Sequence, residues 1–558
     1  MQRFLKMPHV GLVVLLLVVA EHGEGPHQGR FSAEGTGRLS PSVRLGQGPR
    51  IHCYEQHKSK LSQTRWEGPG EFGGGSEVSP AYRTIGEDKF KTGEEPYGVS
   101  FQAGQRDQFR HFLGGTELID LVVYQGKLYA GNGYLQDVPG SDPTPGPQIL
   151  VLDSPAGQWR EEHAFSEKTP SGAPRFLRVS VLKVVTFTTD GEGKVLPRPI
   201  SMLLAGLESW GEGAVFTRDD RSGQWTETRL PLGSVRSIGQ YKDPVTGTQR
   251  VFIGGGGHET GGGSRAAAVF SGTYESAVPG RIRWDPVPEL IAAKDDGEHS
   301  RVMAFVECNG KLYCAAKRGL YERAVNGFHP KWKRVFLAHS LGAPFNSGMR
   351  GLTAIMNPEG GGQVILAALE GVPGTLLRIN PVTGTAVTEL TIADFLEKQW
   401  GTRMPRAPNA NLSAPNRRSV VEAAMRYITA AYNDMPLVED QDGMIVNFIG
   451  LLAECPLPSE RNSGWILIRD ADARYSLRKI PSLRKPGPQF PVLSPDPSLR
   501  AIRTILISPF PEDRDQVLYL GGFSADYPVH NTAWLYRVGI RTLLSGYQSQ
   551  HKRGGHPR

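Results

Sequence analysis

The sequence predicts an all-β fold assembled from a repeated unit of four short strands, and three observations carry the prediction. Gly (68) and Pro (42) make up about a fifth of the 558 residues, where a typical protein has about 12%. So many turn formers exclude coiled coils and long helices, which they would interrupt. Aromatic and β-branched residues run through the whole chain, which excludes a chain unable to bury a core. The third observation is internal repetition, and it sets the architecture.

Each unit opens with an apolar first strand, marked in most copies by an Arg. The units start at Glu117, Arg178, Arg236, Arg301, Arg350, Arg426 and Arg500, at intervals of 49 to 76 residues. The clearest pair is Met349-Arg350-Gly351-Leu352-Thr353-Ala354 and Met425-Arg426-Tyr427-Ile428-Thr429-Ala430. Second strands end in small residues, as in Lys127-Leu128-Tyr129-Ala130-Gly131, Val251-Phe252-Ile253-Gly254-Gly255 and Val517-Leu518-Tyr519-Leu520-Gly521. The turn from third to fourth strand reads Asp153 to Gly157, Asp219 to Gly223 and Asn380 to Gly384. Asp or Asn accepts hydrogen bonds from such a turn, and Gly supplies the positive φ that ends it. Trp159 and Trp225 then open fourth strands as packing residues.

Four-stranded units at this period predict a β-propeller, most simply one of seven blades. The last copy shows only three strands, ending at Ala533 to Arg537, so the ring closes if the N-terminal region supplies the outer strand. Tyr97 to Gln102 is the candidate. Over roughly residues 101–540 the chain is similar to bacterial-type secreted β-propellers, and the resemblance is one of architecture. It has no Trp-Asp repeat ending, no sustained kelch glycine pair and no Tyr-Trp-Thr-Asp set, and its Asp-to-Gly gap is not that of a sialidase Asp-box. No family's catalytic residues carry over.

Outside the blades, residues 1–20 read as a secretory signal: Arg3 and Lys6, the apolar run Val10 to Val19, and a small-residue cleavage site near Ala20. The run is shorter than the roughly 20 residues a spanning helix needs. The mature chain is therefore expected to be secreted, extracellular or periplasmic, without a membrane anchor. Residues 21–100 form an N-terminal extension, partly disordered, and 541–558 a basic disordered tail. Residues 391–416 are an insertion, with a short helix over Thr391 to Trp400 and a glycosylation acceptor at Asn411. Arg418 to Met435 suits a helix by composition, but its match to Met349 to Asn357 reads the second half as strand.

The formal charge of +7 sits at the ends. Arg3 and Lys6 leave with the signal, and Arg541, Lys552, Arg553 and Arg558 lie in the tail, so the body is close to neutral. Nucleic acid is not an expected partner, and a monomer is expected. Cys53, Cys308, Cys314 and Cys455 could pair after export. Cys308 and Cys314 flank an Asn-Gly hairpin in which Cys308 faces Lys311 and Cys314 faces Phe305, which puts the sulfurs on opposite faces. The other pairings stay open, and no metal-ligand spacing is present.

A propeller's first strands line its channel, so Arg178, Arg236, Arg301, Arg350, Arg426 and Arg500 should ring one channel mouth. Guanidinium forks suit carboxylate, phosphate or sulfate, and an anion would relieve their mutual repulsion. The competing reading is structural, each Arg pairing with a neighbouring blade's carboxylate or carbonyl. Glu117 breaks the series. His258, in a Gly-rich loop, and His299 are candidate bases together with Glu117, and Trp210 is a candidate stacking platform for a sugar. No P-loop, nucleophile elbow or zinc-protease motif is present. No cofactor is expected, and a channel-bound metal stays open. Three functions follow: a binder of an anionic small molecule or glycan, a lyase or hydrolase of acidic glycans or esters on the same face, or a protein-interaction scaffold whose Arg residues are structural.

Overall fold

The second strands are continuous apolar runs, and they are buried on both faces. Val517–Phe523 is buried at every position, and so is Lys127–Gly133 after its first residue. Fourth strands are open instead: in Trp225–Arg229 every position keeps some exposure. Burial thus falls from the middle of each unit to its outer edge, as in sheets stacked face to face and open to water only at the rim.

The computed structural model is described for residues 97–545, apart from 135–145, 210–212, 261–264, 279, 294–299, 327–328, 339–347, 371–373, 401–428, 432–434, 440–442, 454–463, 482–498, 514–516 and 524–530. The chain is all-β, a succession of antiparallel meanders in a propeller-type arrangement. The first meander is Glu117–Tyr124, Lys127–Gly133, Gln148–Leu152 and Arg160–Ala164; the second is Arg178–Thr189, Val195–Glu208, Ala214–Arg218 and Trp225–Arg229. The third comprises Ser234–Lys242, Gln249–Glu259 and Arg265–Tyr274, edged by Ile282–Trp284 and Leu290–Ile291. The fourth is Val302–Cys308, Lys311–Ala316, Gly319–Asn326 and His329–Leu337; the fifth is Met349–Met356, Gln363–Leu369, Thr375–Asn380 and Thr385–Thr391. In the sixth, Thr429–Ala431 and Leu437–Glu439 both pair with Ile445–Ala453, which continues to Gly464–Asp470 and Tyr475–Ile480. The last is Ala501–Ile507, Val517–Phe523 and Ala533–Gly539.

Tyr97–Gln102 completes that last meander. It pairs antiparallel with Ala533–Gly539, from Tyr97 opposite Val538 to Gln102 opposite Trp534, as the missing outer strand required. Trp159 of the first meander holds it from the other side, its indole N–H donating to Ser100 Oγ at 3.0 Å and its ring meeting Phe101 edge-on. Just beyond, the buried Asp107 carboxylate accepts from the Glu161 backbone N–H at 3.1 Å. The first strands of the first five meanders pack beside one another in chain order, and Ala501–Ile507 packs beside Glu117–Tyr124.

One contact recurs where meanders meet. A Cβ added to Gly131 would lie 2.7 Å from Val179, to Gly254 2.5 Å from Val302, to Gly450 2.8 Å from Ile502 and to Gly521 2.7 Å from Leu118; Gly206 stands as close to Val235. In these five second strands the glycine is therefore a seat for the next meander's first strand, and an approach this close leaves no room for a Cβ. The Gly521–Leu118 contact joins the last meander to the first in the same way.

Other expectations are met or adjusted. Asn309 and Gly310 both take positive φ and place Cys308 opposite Lys311 and Cys314 opposite Phe305. The two thiols are buried in different core clusters and do not bridge. The Asp219 and Asn380 turns close on Gly223 and Gly384 at 2.7 and 2.9 Å, but Gly157 bonds to Ser154 rather than Asp153. A helix, α1, spans Ile392–Trp400, with Ile392 and Leu396 in the core. Thr429–Ala431 is strand. Among the described residues no helix is long and apolar enough to cross a membrane. The signal segment, most of the extension, Asn411, Cys53, Cys455 and residues 546–558 lie outside the described residues.

Gly521→Val should destabilise the protein by about 1–3 kcal/mol through overpacking, and Leu118→Ala should relieve part of that loss. Urea denaturation of both single variants and the double would show non-additivity of at least about 0.5 kcal/mol. Strict additivity would mean that this contact does not join the two meanders.

Candidate functional site

Six of the first strands carry a β-bulge near their start, opposite the end of the second strand. The irregularity falls at Ile119, Ser180, Arg236, Met303, Arg350 and Arg503. A bulge turns a side chain out of the regular alternation, and three of these six are Arg. Arg178 and Arg301 stand two residues before their bulges.

The result is a cluster of guanidinium groups around few carboxylates. Glu208, at the end of Val195–Glu208, is its hub. Arg178 Nε donates to Glu208 at 2.6 Å, Arg236 donates to the same Oε2 oxygen, and Arg301 lies 3.8 Å from Oε1. Arg178 also reaches Glu117 at 2.9 Å, and Arg503 donates to the other Glu117 oxygen. Arg350 is held by Glu370. Arg178, Arg236, Arg503, Glu117 and Glu208 are buried, whereas the side chains of Arg301 and Arg350 keep 29% and 20% exposure. Five guanidiniums thus face three carboxylates among the described residues.

The electrostatics follow from that imbalance. Burial alone would raise the Glu208 pKa, but Arg178, Arg236 and Arg301 outweigh it and hold the carboxyl well below its ordinary value. Glu117 is lowered by Arg503 and Arg178 against the same cost. Burial opposes the charge on Arg178 too, yet Glu208 and Glu117 fix it more firmly protonated. Arg236 goes the other way: burial and then the charge of Arg178, with Arg301 and Arg350 adding, push it well below the ordinary arginine value. Arg301 is lowered by burial and by Arg350 and Arg178. The uncompensated charge is therefore concentrated on the side of Arg236, Arg301 and Arg350.

Four of the six sequence-selected Arg residues, Arg178, Arg236, Arg301 and Arg350, come together. Arg426 lies outside the described residues. Arg500 precedes its strand, and it is Arg503 that reaches Glu117. A signal for Arg503 was present: Val235-Arg236-Ser237-Ile238, Met349-Arg350-Gly351-Leu352 and Ile502-Arg503-Thr504-Ile505 share an apolar–Arg–small–apolar pattern that fixes the bulge. Burial and partner carboxylates engage Arg178 and Arg236, while Arg301 and Arg350 keep part of their side chains exposed.

The candidate bases fare differently. Glu117 is tied to two guanidiniums, which leaves it neither protonated nor free to accept a proton. His258 is not in a loop: it lies on the strand Gln249–Glu259, past a bulge formed by the glycines, with Nδ1 2.8 Å from the Pro231 carbonyl oxygen. His299 and Trp210 lie outside the described residues. Asn132 is a buried structural amide, donating to the Gly114 carbonyl at 2.8 Å. Among the described residues no three His, Cys, Asp or Glu side chains come together as metal ligands.

Removing the hub should be costly. Glu208→Gln leaves the buried Arg178 and Arg236 and the partly exposed Arg301 without their shared partner, a change of about 3–5 kcal/mol at pH 7. The Glu208 pKa is depressed in the folded state, so its contribution is complete above its ordinary value of 4.5 and declines as pH falls below that. Urea denaturation from pH 7 to pH 3 should therefore show the gap between wild type and variant narrowing in acid. A constant gap would contradict an ionised hub.

No family model matches the chain, and no curated protein matches it. Similar solved structures include the extracellular domain described for a hybrid two-component system of B. thetaiotaomicron, at 10% identity and TM-score 0.38, covering 78% of this chain and 39% of that one. Trypanosoma rangeli sialidase in complex with sialic acid is similar at 9% identity and TM-score 0.32, covering 81% of this chain and 59% of that one. A glycoside hydrolase family 43 arabinoxylan arabinofuranohydrolase from Bacillus subtilis is similar at 12% identity and TM-score 0.26, covering 63% and 77%. The chain thus spans 39% and 59% of the first two. Similarities at this level carry no information on ligand or reaction.

Proposed function

We propose that the protein is an exported, seven-bladed β-propeller that binds an anionic ligand at the guanidinium cluster. The blade count rests on the succession of meanders, and ring closure on the pairing of Tyr97–Gln102 with Ala533–Gly539 and on the Gly521–Leu118 seat. Export rests on the signal-like residues 1–20.

One observation carries the binding reading. Arg236, Arg301 and Arg350 converge with fewer carboxylates than guanidiniums, and two of the three are partly exposed. A purely structural set would balance its charges, because each uncompensated buried ion carries a desolvation cost of several kcal/mol. An anion supplies the missing charge, and Arg forks bind carboxylate or sulfate with directed hydrogen bonds.

The test is the thermal midpoint of the chain against acetate, glucuronate and sulfate at constant ionic strength. A specific ligand at a hundredfold excess over its Kd stabilises by about 2.7 kcal/mol. Arg301→Ala and Arg350→Ala should abolish the shift while keeping most of the unliganded midpoint. If no anion shifts the midpoint and the variants are merely less stable, the cluster is structural and the binding reading fails.

A further inference from the structure

Resting on the anion site proposed above, we infer that its ligand is a short dicarboxylate, held by Arg301 and Arg350 together. The two residues open neighbouring first strands, Val302–Cys308 and Met349–Met356, which pack against each other. They are the two members of the cluster that solvent reaches. Each has donors to spare, and for different reasons.

Arg301 makes no side-chain hydrogen bond among the described residues. Its approach to Glu208 is 3.8 Å, beyond hydrogen-bonding range, and its stem rests on Gly256, where a Cβ would lie 2.7 Å from the Arg301 Cγ. Arg350 commits Nε and Nη2 to Glu370. Its Nη1 faces the Met303 sulfur at 3.8 Å, and a thioether is a weak acceptor. Two donor edges on adjacent strands are thus left for two separate acceptors.

The spare donors set the number of acceptors. Arg301 does not hydrogen-bond Glu208, and Arg350 keeps Nη1 free of Glu370, so two guanidiniums each have room for an acceptor. A single carboxylate would neutralise one and leave the other facing Arg236. Met303 supplies what lies between: it follows Arg301 by two residues, is buried, and touches Arg350. Its polarisable, flexible side chain suits the methylene spacer of a dicarboxylate, where a phosphate or sulfate would bring only polar oxygens.

Isothermal titration of the full chain with succinate, butyrate and inorganic phosphate at matched ionic strength tests this. Succinate and butyrate share a four-carbon skeleton and differ by one carboxylate. Succinate should bind on the order of tenfold tighter or more, as a second charged hydrogen-bonded contact implies. Arg301→Gln and Arg350→Gln should each bring succinate down to the affinity of butyrate while changing butyrate little, and Arg350→Lys should restore only part of the preference because it lacks the fork. Equal binding of succinate and butyrate overturns the dicarboxylate and leaves the anion site standing. Phosphate matching succinate also overturns it, in favour of a single doubly charged group. Binding of none of the three removes the anion site itself.

Discussion

Successive meanders meet where a glycine at the end of one second strand receives an apolar side chain from the next first strand. Gly131 with Val179, Gly206 with Val235, Gly254 with Val302 and Gly521 with Leu118 are copies of one contact. Because the seat is backbone, the neighbouring first strand approaches more closely than two side-chain layers would allow. That closeness bends the first strand into its bulge, and the bulge determines which side chain leaves the sheet. Part of the guanidinium cluster is therefore a by-product of how the units stack: Arg236, Arg350 and Arg503 are the residues displaced at the bulges of their strands.

Further out, the same units are held by ion pairs of regular form. An Arg on a third strand reaches a carboxylate from the preceding meander: Arg218 to Glu162 at 2.7 Å, Arg323 to Glu289 at 2.8 Å, and Arg469 to Glu389 at 2.7 Å. These link first to second, third to fourth and fifth to sixth. The carboxylates Glu162, Glu289 and Glu389 have little exposure, and Trp332 and Tyr475 donate further hydrogen bonds to the last two. In those outer pairs the charges are compensated. The contrast with the centre is informative, since among the described residues these outer Arg residues are matched where they serve packing, whereas Arg178, Arg236 and Arg301 converge on the single Glu208 carboxylate.

Much of the fold was legible because its periodicity is written in turns and small residues. The Asn309-Gly310 hairpin, the Tyr97–Gln102 closing strand and the helix after Thr391 all followed from local chemistry. The site was legible only in part. Arg178, Arg236, Arg301 and Arg350 announced themselves as repeated first-strand residues, but their carboxylate partners did not, because Glu117, Glu208 and Glu370 come from ends of different strands and meet only in three dimensions. Aligning on the Arg alone selected Arg500, whereas the bulge, which shifts register by one residue, selects Arg503. The glycines around His258 suggested a loop, but each of Gly254, Gly255 and Gly256 is required by a neighbouring chain passing close to an extended strand.

The strand that completes the last meander is the first of the described strands to be synthesised. Tyr97–Gln102 waits for a partner roughly four hundred residues later in the chain, and its Trp159 support comes from the opposite end of the succession. On the ribosome the early meanders can stack in order, each on the last, but the two ends stay exposed until the final strand emerges. The sequence separation of that single pairing sets a slow, late step that no local contact can replace. The seam between first and last meander is where a chaperone or a protease would find the folding protein open.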